Sequence, residues 1–149
     1  MSNGLFKQDS EPPRPGQHPV VLVVDDEKRI ADTLALILDS KGYCAEAAYD
    51  GSTALAKCCA RVPDLLISDV VMPGMNGIEL AIKIKQRFPA CRILLFSGQA
   101  ATGDMLENSR SRGYEFEVLA KPVHPEQLLE KVWQLIGAPG MPVEKIAQK

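Results

Sequence analysis

The sequence lacks a basic excess: Lys plus Arg number 17 against 19 for Asp plus Glu, a net charge of −2. A surface that binds nucleic acid wholesale needs clustered positive charge, so that class of partner is excluded. Aromatic residues are scarce at 5%, which argues against a platform that stacks single-stranded bases. No apolar run is longer than a strand, so no membrane span is expected. The opening residues, MSNGLFKQDSEPPRPGQHP, carry no apolar stretch of signal-peptide length, and a cytosolic location is expected. The 4 cysteines, Cys44, Cys58, Cys59 and Cys91, form no CxxC pair. They read as small core hydrophobes, with redox sensing by the adjacent Cys58 and Cys59 as the alternative. GxGxxG and Walker phosphate loops are also missing.

What is present is a single domain's worth of chain, 149 residues with 46% hydrophobic residues. Residues 1–18 hold Pro12, Pro13 and Pro15 among polar residues and read as a disordered arm. Gly137, Pro139, Gly140 and Pro142 break any helix near the other end, so residues 138–149 read as a flexible tail. The compact domain is expected over 19–137.

Within it, apolar runs alternate with helical patterns. Val20 to Val24 is a β-branched run without polar alternation, as in a strand buried on both faces. Ile30, Leu34, Ile37 and Leu38 then repeat at helical spacing. A weak strand over 43–48 and an Ala-rich helix over 52–61 follow. Further strands are expected at 65–67, 93–96 and 116–119. Helices are expected around Ile78, Ala81 and Ile82, over 101–112, and around Leu128, Leu129, Val132, Leu135 and Ile136. Strict alternation predicts an α/β fold with a doubly wound, five-stranded parallel sheet, in the order 2-1-3-4-5.

In such sheets the site lies beyond the carboxyl ends of the strands. Those ends read Asp25-Asp26, Ser68-Asp69, Ser97-Gly98 and Lys121-Pro122. Singly, each has a plain alternative: a helix cap, a turn residue, a solvated lysine. Jointly they bring three carboxylates into one crevice, flanked by a hydroxyl and an ammonium. Close carboxylates repel, and a hard divalent cation, Mg2+ by its ligand preference, relieves that repulsion. One carboxylate can then serve as a nucleophile toward a phosphoryl group, with Asp69 central among the strands. An aspartyl-nucleophile phosphatase would need an acid two residues after Asp69, where Val71 stands. A flavodoxin-like nucleotide module would need a Ser/Thr/Gly-rich loop after strand one, where Asp25-Asp26-Glu27-Lys28 stands.

Two stretches carry a resemblance. Val20 to Glu27 and Asp69-Val70-Val71-Met72-Pro73-Gly74-Met75-Asn76-Gly77, with Ser97 and Lys121-Pro122, resemble the receiver domains of two-component response regulators across about 19–137. The resemblance implies a flavodoxin-like receiver fold with Asp69 as phosphoacceptor. It implies Mg2+ bound by Asp25, Asp26, Asp69 and the backbone carbonyl of Val71, and a phosphoryl group contacted by Ser97 and Lys121. It also implies a sensor histidine kinase or phosphotransfer protein as donor, an effector protein as output, and neither nucleic acid nor membrane as partner. A signalling receiver of this kind is not an enzyme beyond its own phosphoryl transfer and dephosphorylation. The Lys121–Pro122 bond is expected to be cis. One departure stands out: the family's aromatic residue three before the lysine is Val118 here, and Phe116 lies on the same strand face about 7 Å away. The effector surface is expected over residues 101–120 and the last helix.

Overall fold

A computed structural model describes residues 18–98 and 102–139. The expected terminal arm and tail lie outside the described residues, apart from His18, Ala138 and Pro139. The chain runs β1 (Val20–Val24), α1 (Lys28–Ser40), β2 (Cys44–Ala48), α2 (Gly51–Ala60) and β3 (Leu65–Asp69). It continues with α3 (Gly77–Arg87), β4 (Arg92–Ser97), α4 (Thr102–Ser111), β5 (Glu117–Ala120) and α5 (Pro125–Ile136). All five strands pair in parallel, in the order β2-β1-β3-β4-β5. That is the expected doubly wound sheet.

Strand alternation divides the core into two layers. Leu22, Val24, Leu66 and Leu95 face α2 and α3, against Ala54, Cys58, Ile78, Ala81 and Ile84. Val21, Val23, Leu65, Ile67 and Leu94 face α1 and α5, against Leu34, Leu38, Leu128 and Val132. Period-two strands and helices with one apolar stripe leave no other arrangement that buries both faces. Among the described residues, no helix is long and apolar enough to cross a membrane.

Local chemistry sets the element ends. Asp50 caps α2 by accepting from Thr53 N–H at 2.7 Å. Asn76 caps α3 in a reciprocal box, accepting from Glu79 N–H at 2.8 Å while Glu79 Oε1 accepts from Asn76 N–H at 3.0 Å. Pro125 opens α5, where its missing N–H is not needed.

Three expectations shift. β5 begins at Glu117 rather than Phe116, because the Phe116 ring stacks on Tyr114 at 6.2 Å before the strand starts. β3 extends through Asp69, since both Ser68 and Asp69 pair with β4. The cysteines do not share one environment. Cys58 and Cys91 are core residues whose thiols burial pushes up to about 12, whereas Cys44 is half-buried and Cys59 is exposed.

Candidate functional site

The ends of β1 and β3 are neighbours in the sheet, with Val24 opposite Ser68. The residues that follow each strand therefore emerge side by side. Asp25, Asp26 and Asp69 each offer a carboxylate oxygen, and these atoms lie within 4.8 Å of one another. Asp25 is held as an extension of β1, its N–H donating to Ala48 O at 3.1 Å. Its Oδ1 accepts from Glu27 N–H at 2.9 Å. Its Oδ2 is buried and finds no hydrogen-bond partner among the described residues.

A buried carboxylate oxygen without a partner is costly, unless a group outside the chain satisfies it. Burial holds the Asp25 carboxyl above the usual carboxylate range. The Glu27 N–H opposes that shift, as Lys121 does, while the charges of Asp69 and Asp26 add to it. Three oxygen donors with excess negative charge and one orphaned oxygen suit a hard divalent cation such as Mg2+.

The fourth charged member arrives from β5. Lys121 Nζ stands 3.0 Å from Asp69 Oδ2. Two features steer it there. Lys121 N–H donates to Ser97 O at 3.1 Å, which ties the end of β5 to the end of β4. The lysine stem also lies against Gly98, where an added Cβ would come within 3.1 Å of both Lys121 Cβ and Cδ. The Lys121–Pro122 bond is cis, as expected.

The structure thus brings together Asp25, Asp26, Asp69 and Lys121, and sets Ser97 beside Lys121 through the main chain. Val71 stands two residues past Asp69 and is 56% exposed. Two further residues, Ser68 and Gly77, have no role that the sequence pattern predicts. Ser68 is fully buried and its hydroxyl donates to Asp69 O at 2.9 Å. Gly77 packs against that same carbonyl. The signal available was a glycine directly after the helix cap Asn76, a position where no turn conformation requires it.

Residues 21–133 match the sequence model of the response regulator receiver domain family. Among curated proteins, the probable transcriptional regulatory protein TcrX of Mycobacterium tuberculosis is 29% identical over 126 residues, 85% of this chain and 53% of that protein. The transcriptional regulatory protein CreB of Escherichia coli is 31% identical over 120 residues, 80% of this chain and 52% of that protein. The chain spans about half the length of these curated relatives. Among solved structures, the chemotaxis protein CheY4 of Vibrio cholerae aligns with a TM-score of 0.69 at 31% identity, over 79% of this chain and 98% of that one. A response regulator receiver domain protein from Clostridium thermocellum aligns with a TM-score of 0.71 at 25% identity, over 79% of this chain and 94% of that one. With its sheet order, its acidic crevice and this match over most of its length, the chain belongs to the response regulator receiver domain family of two-component systems.

Proposed function

We propose that this receiver takes a phosphoryl group on Asp69 from a phosphohistidine of a sensor histidine kinase or phosphotransfer protein, and that it signals through a protein partner. The observation that carries the assignment to Asp69 is its contact with Lys121 at 3.0 Å inside the acidic cluster. Of the three carboxylates, Asp25 is sunk to 1% exposure with Oδ1 engaged by Glu27 N–H. Asp26 is exposed. Asp69 alone combines a partly shielded position with an ammonium alongside it.

In the proposed step an Asp69 carboxylate oxygen forms a bond to phosphorus and the donor's P–N bond breaks. The bonding pair stays on the imidazole nitrogen, which takes up a proton from solvent. Lys121 is already placed to offset charge on the phosphoryl oxygens. Ser97, at the end of β4, is the hydroxyl that would bond to one of them. Asp25, Asp26 and Asp69, with the Val71 carbonyl, are the groups that would hold Mg2+. When bound, the ion offsets the negative charge shared by the carboxylates and the donor. The curated relatives are transcriptional regulators of about twice the matched length. For this chain the output is therefore proposed only as a protein contact, made by the face that carries α4, β5 and α5.

The test is intact-mass measurement of the full chain after incubation with a small acyl phosphate and Mg2+. One phosphoryl group is expected on the natural protein and none on Asp69→Asn, with labelling blocked by a chelator. Label that persists on Asp69→Asn, or in the chelator's presence, contradicts the assignment.

A further inference from the structure

Lys121 accounts for one end of Asp69. The other end, its main-chain carbonyl, is held by two residues to which the phosphoryl chemistry assigns nothing. Ser68 Oγ donates to Asp69 O at 2.9 Å, from a side chain with no solvent exposure. The first residue of α3, Gly77, lies directly against the same oxygen, close to Ser68 Oγ. A Cβ built at Gly77 would overlap Asp69 O outright, and would stand 2.9 Å from the Asp69 carbonyl carbon and 3.0 Å from Ser68 Oγ. Backbone atoms cannot swing away as a flexible side chain does, so the start of α3 is seated on the acceptor's own peptide group.

Two more bonds close this arrangement. Gly77 N–H donates to Val70 O at 2.8 Å, which ties both ends of the 70–77 loop together at its base. Val70 N–H donates to Phe96 O at 3.0 Å. The peptide plane joining Asp69 to Val70 is thus fixed on both sides, its oxygen by Ser68 and Gly77 and its nitrogen by β4. Tilting that plane would break the bond to Phe96 and carry the Asp69 Cα with it, shifting the carboxylate relative to Lys121.

We propose that Gly77 and Ser68 are positioning residues for Asp69, holding its main-chain carbonyl so that the carboxylate stays in line for phosphoryl transfer. The proposal rests on Asp69 being the acceptor. Misplacing a reacting group by about 1 Å can slow a reaction about a hundredfold. A methyl at 77 has no room without a shift on that scale, whereas loss of the Ser68 hydroxyl removes one restraint and leaves the others.

The experiment measures the phosphorylation rate of the full chain by intact mass, across a range of acyl phosphate concentrations. Each variant's melting temperature is recorded alongside. Gly77→Ala is expected to lower the maximal rate roughly a hundredfold and Ser68→Ala roughly five- to tenfold. The half-saturating donor concentration should stay within about twofold, because neither residue touches the donor. Ser68→Ala keeps the test decisive should Gly77→Ala fail to fold. Ile84→Val, in the same core layer, serves as the control for lost stability and should leave the rate within about twofold. A natural chain that labels on Asp69 while Ser68→Ala and Gly77→Ala label at its rate overturns the positioning role alone. Rates that merely follow melting temperature, with Ile84→Val slowed as much as Ser68→Ala, also overturn it. A natural chain that takes no label on Asp69 overturns both this proposal and the acceptor assignment.

Discussion

The strand that carries Asp69, the proposed acceptor, and the strand that leads into Lys121 are built to different standards. All five residues of β3 are buried, and α3, which follows it, buries six: Gly77, Ile78, Leu80, Ala81, Ile82 and Ile84. β5 lies at the sheet edge with no residue fully buried. Among the α4 residues whose exposure is described, only Ser109 is buried. The Asp69 end is clamped by core packing and by a closed set of backbone bonds. The α4–β5 end is held by half-buried contacts from Met105, Leu106, Tyr114 and Phe116. Regions with few buried apolar contacts open at low free-energy cost, and switching elements are drawn from them. The difference fits the proposed function, in which the phosphoryl chemistry would sit at the rigid β3 and α3 and the responsive surface at α4 and β5, joined through the ends of β4 and β5.

The strongest way to break this comparison is to cut matching holes in both helices. Leu80 on α3 has no exposure, so Leu80→Ala should cost about 2–5 kcal/mol. Leu106 on α4 is only partly buried, and Leu106→Ala should cost about 1 kcal/mol. Urea unfolding measures both, and equal losses would mean that α4 is as firmly packed as α3.

A smaller change sharpens the contrast in the opposite direction. Gly103 lies in α4, and a Cβ there would meet nothing within 4 Å. Gly103→Ala should therefore strengthen the helix by roughly 0.5–1 kcal/mol, through lower backbone entropy in the unfolded chain. Slower amide exchange within 104–111 is the expected sign. Unchanged exchange would show that helix propensity does not limit the order of α4.

Much of this division could be read from the residues. Strand ends were legible because short apolar runs give way to Asp25, to Ser68-Asp69 and to Lys121, and the ends of neighbouring strands in a doubly wound sheet meet at its crevice. Gly103, Asn108, Ser109 and Ser111 lower the helix propensity of α4, which accords with its sparse burial. The grip on Asp69 from behind was not legible, because it depends on a close approach between Gly77 and a carbonyl, and backbone-to-backbone contact leaves no side-chain pattern. The start of β5 was misplaced by one residue because Phe116 has strand propensity but spends its ring on Tyr114, a contact that no period reveals. The cysteines were read too uniformly, since Cys58 and Cys59 are adjacent on a helix and must point in different directions.

The departure at Val118 belongs to the same division. Val118 is 37% exposed where the family resemblance leads one to expect an aromatic ring, and it pairs across the sheet with Leu95. The aromatic pair of this chain sits earlier, at Tyr114 and Phe116, with Gln86 Nε2 of α3 donating to Tyr114 Oη at 3.1 Å. A ring turning inward at 118 is therefore unavailable, and the response we propose comes instead from the backbone around the end of β4 and from α4, where Gly98 and Gly103 can absorb changes in backbone angle.

Amide hydrogen exchange on the full chain, with and without a phosphoryl mimic and Mg2+, tests this account most directly. The largest protection changes should fall at Ser97 and across 102–120, with β3 and α3 protected equally in both states. Changes confined to the 70–77 loop, or concentrated on α1, would contradict it, because the signal would then leave the site by a face other than α4 and β5.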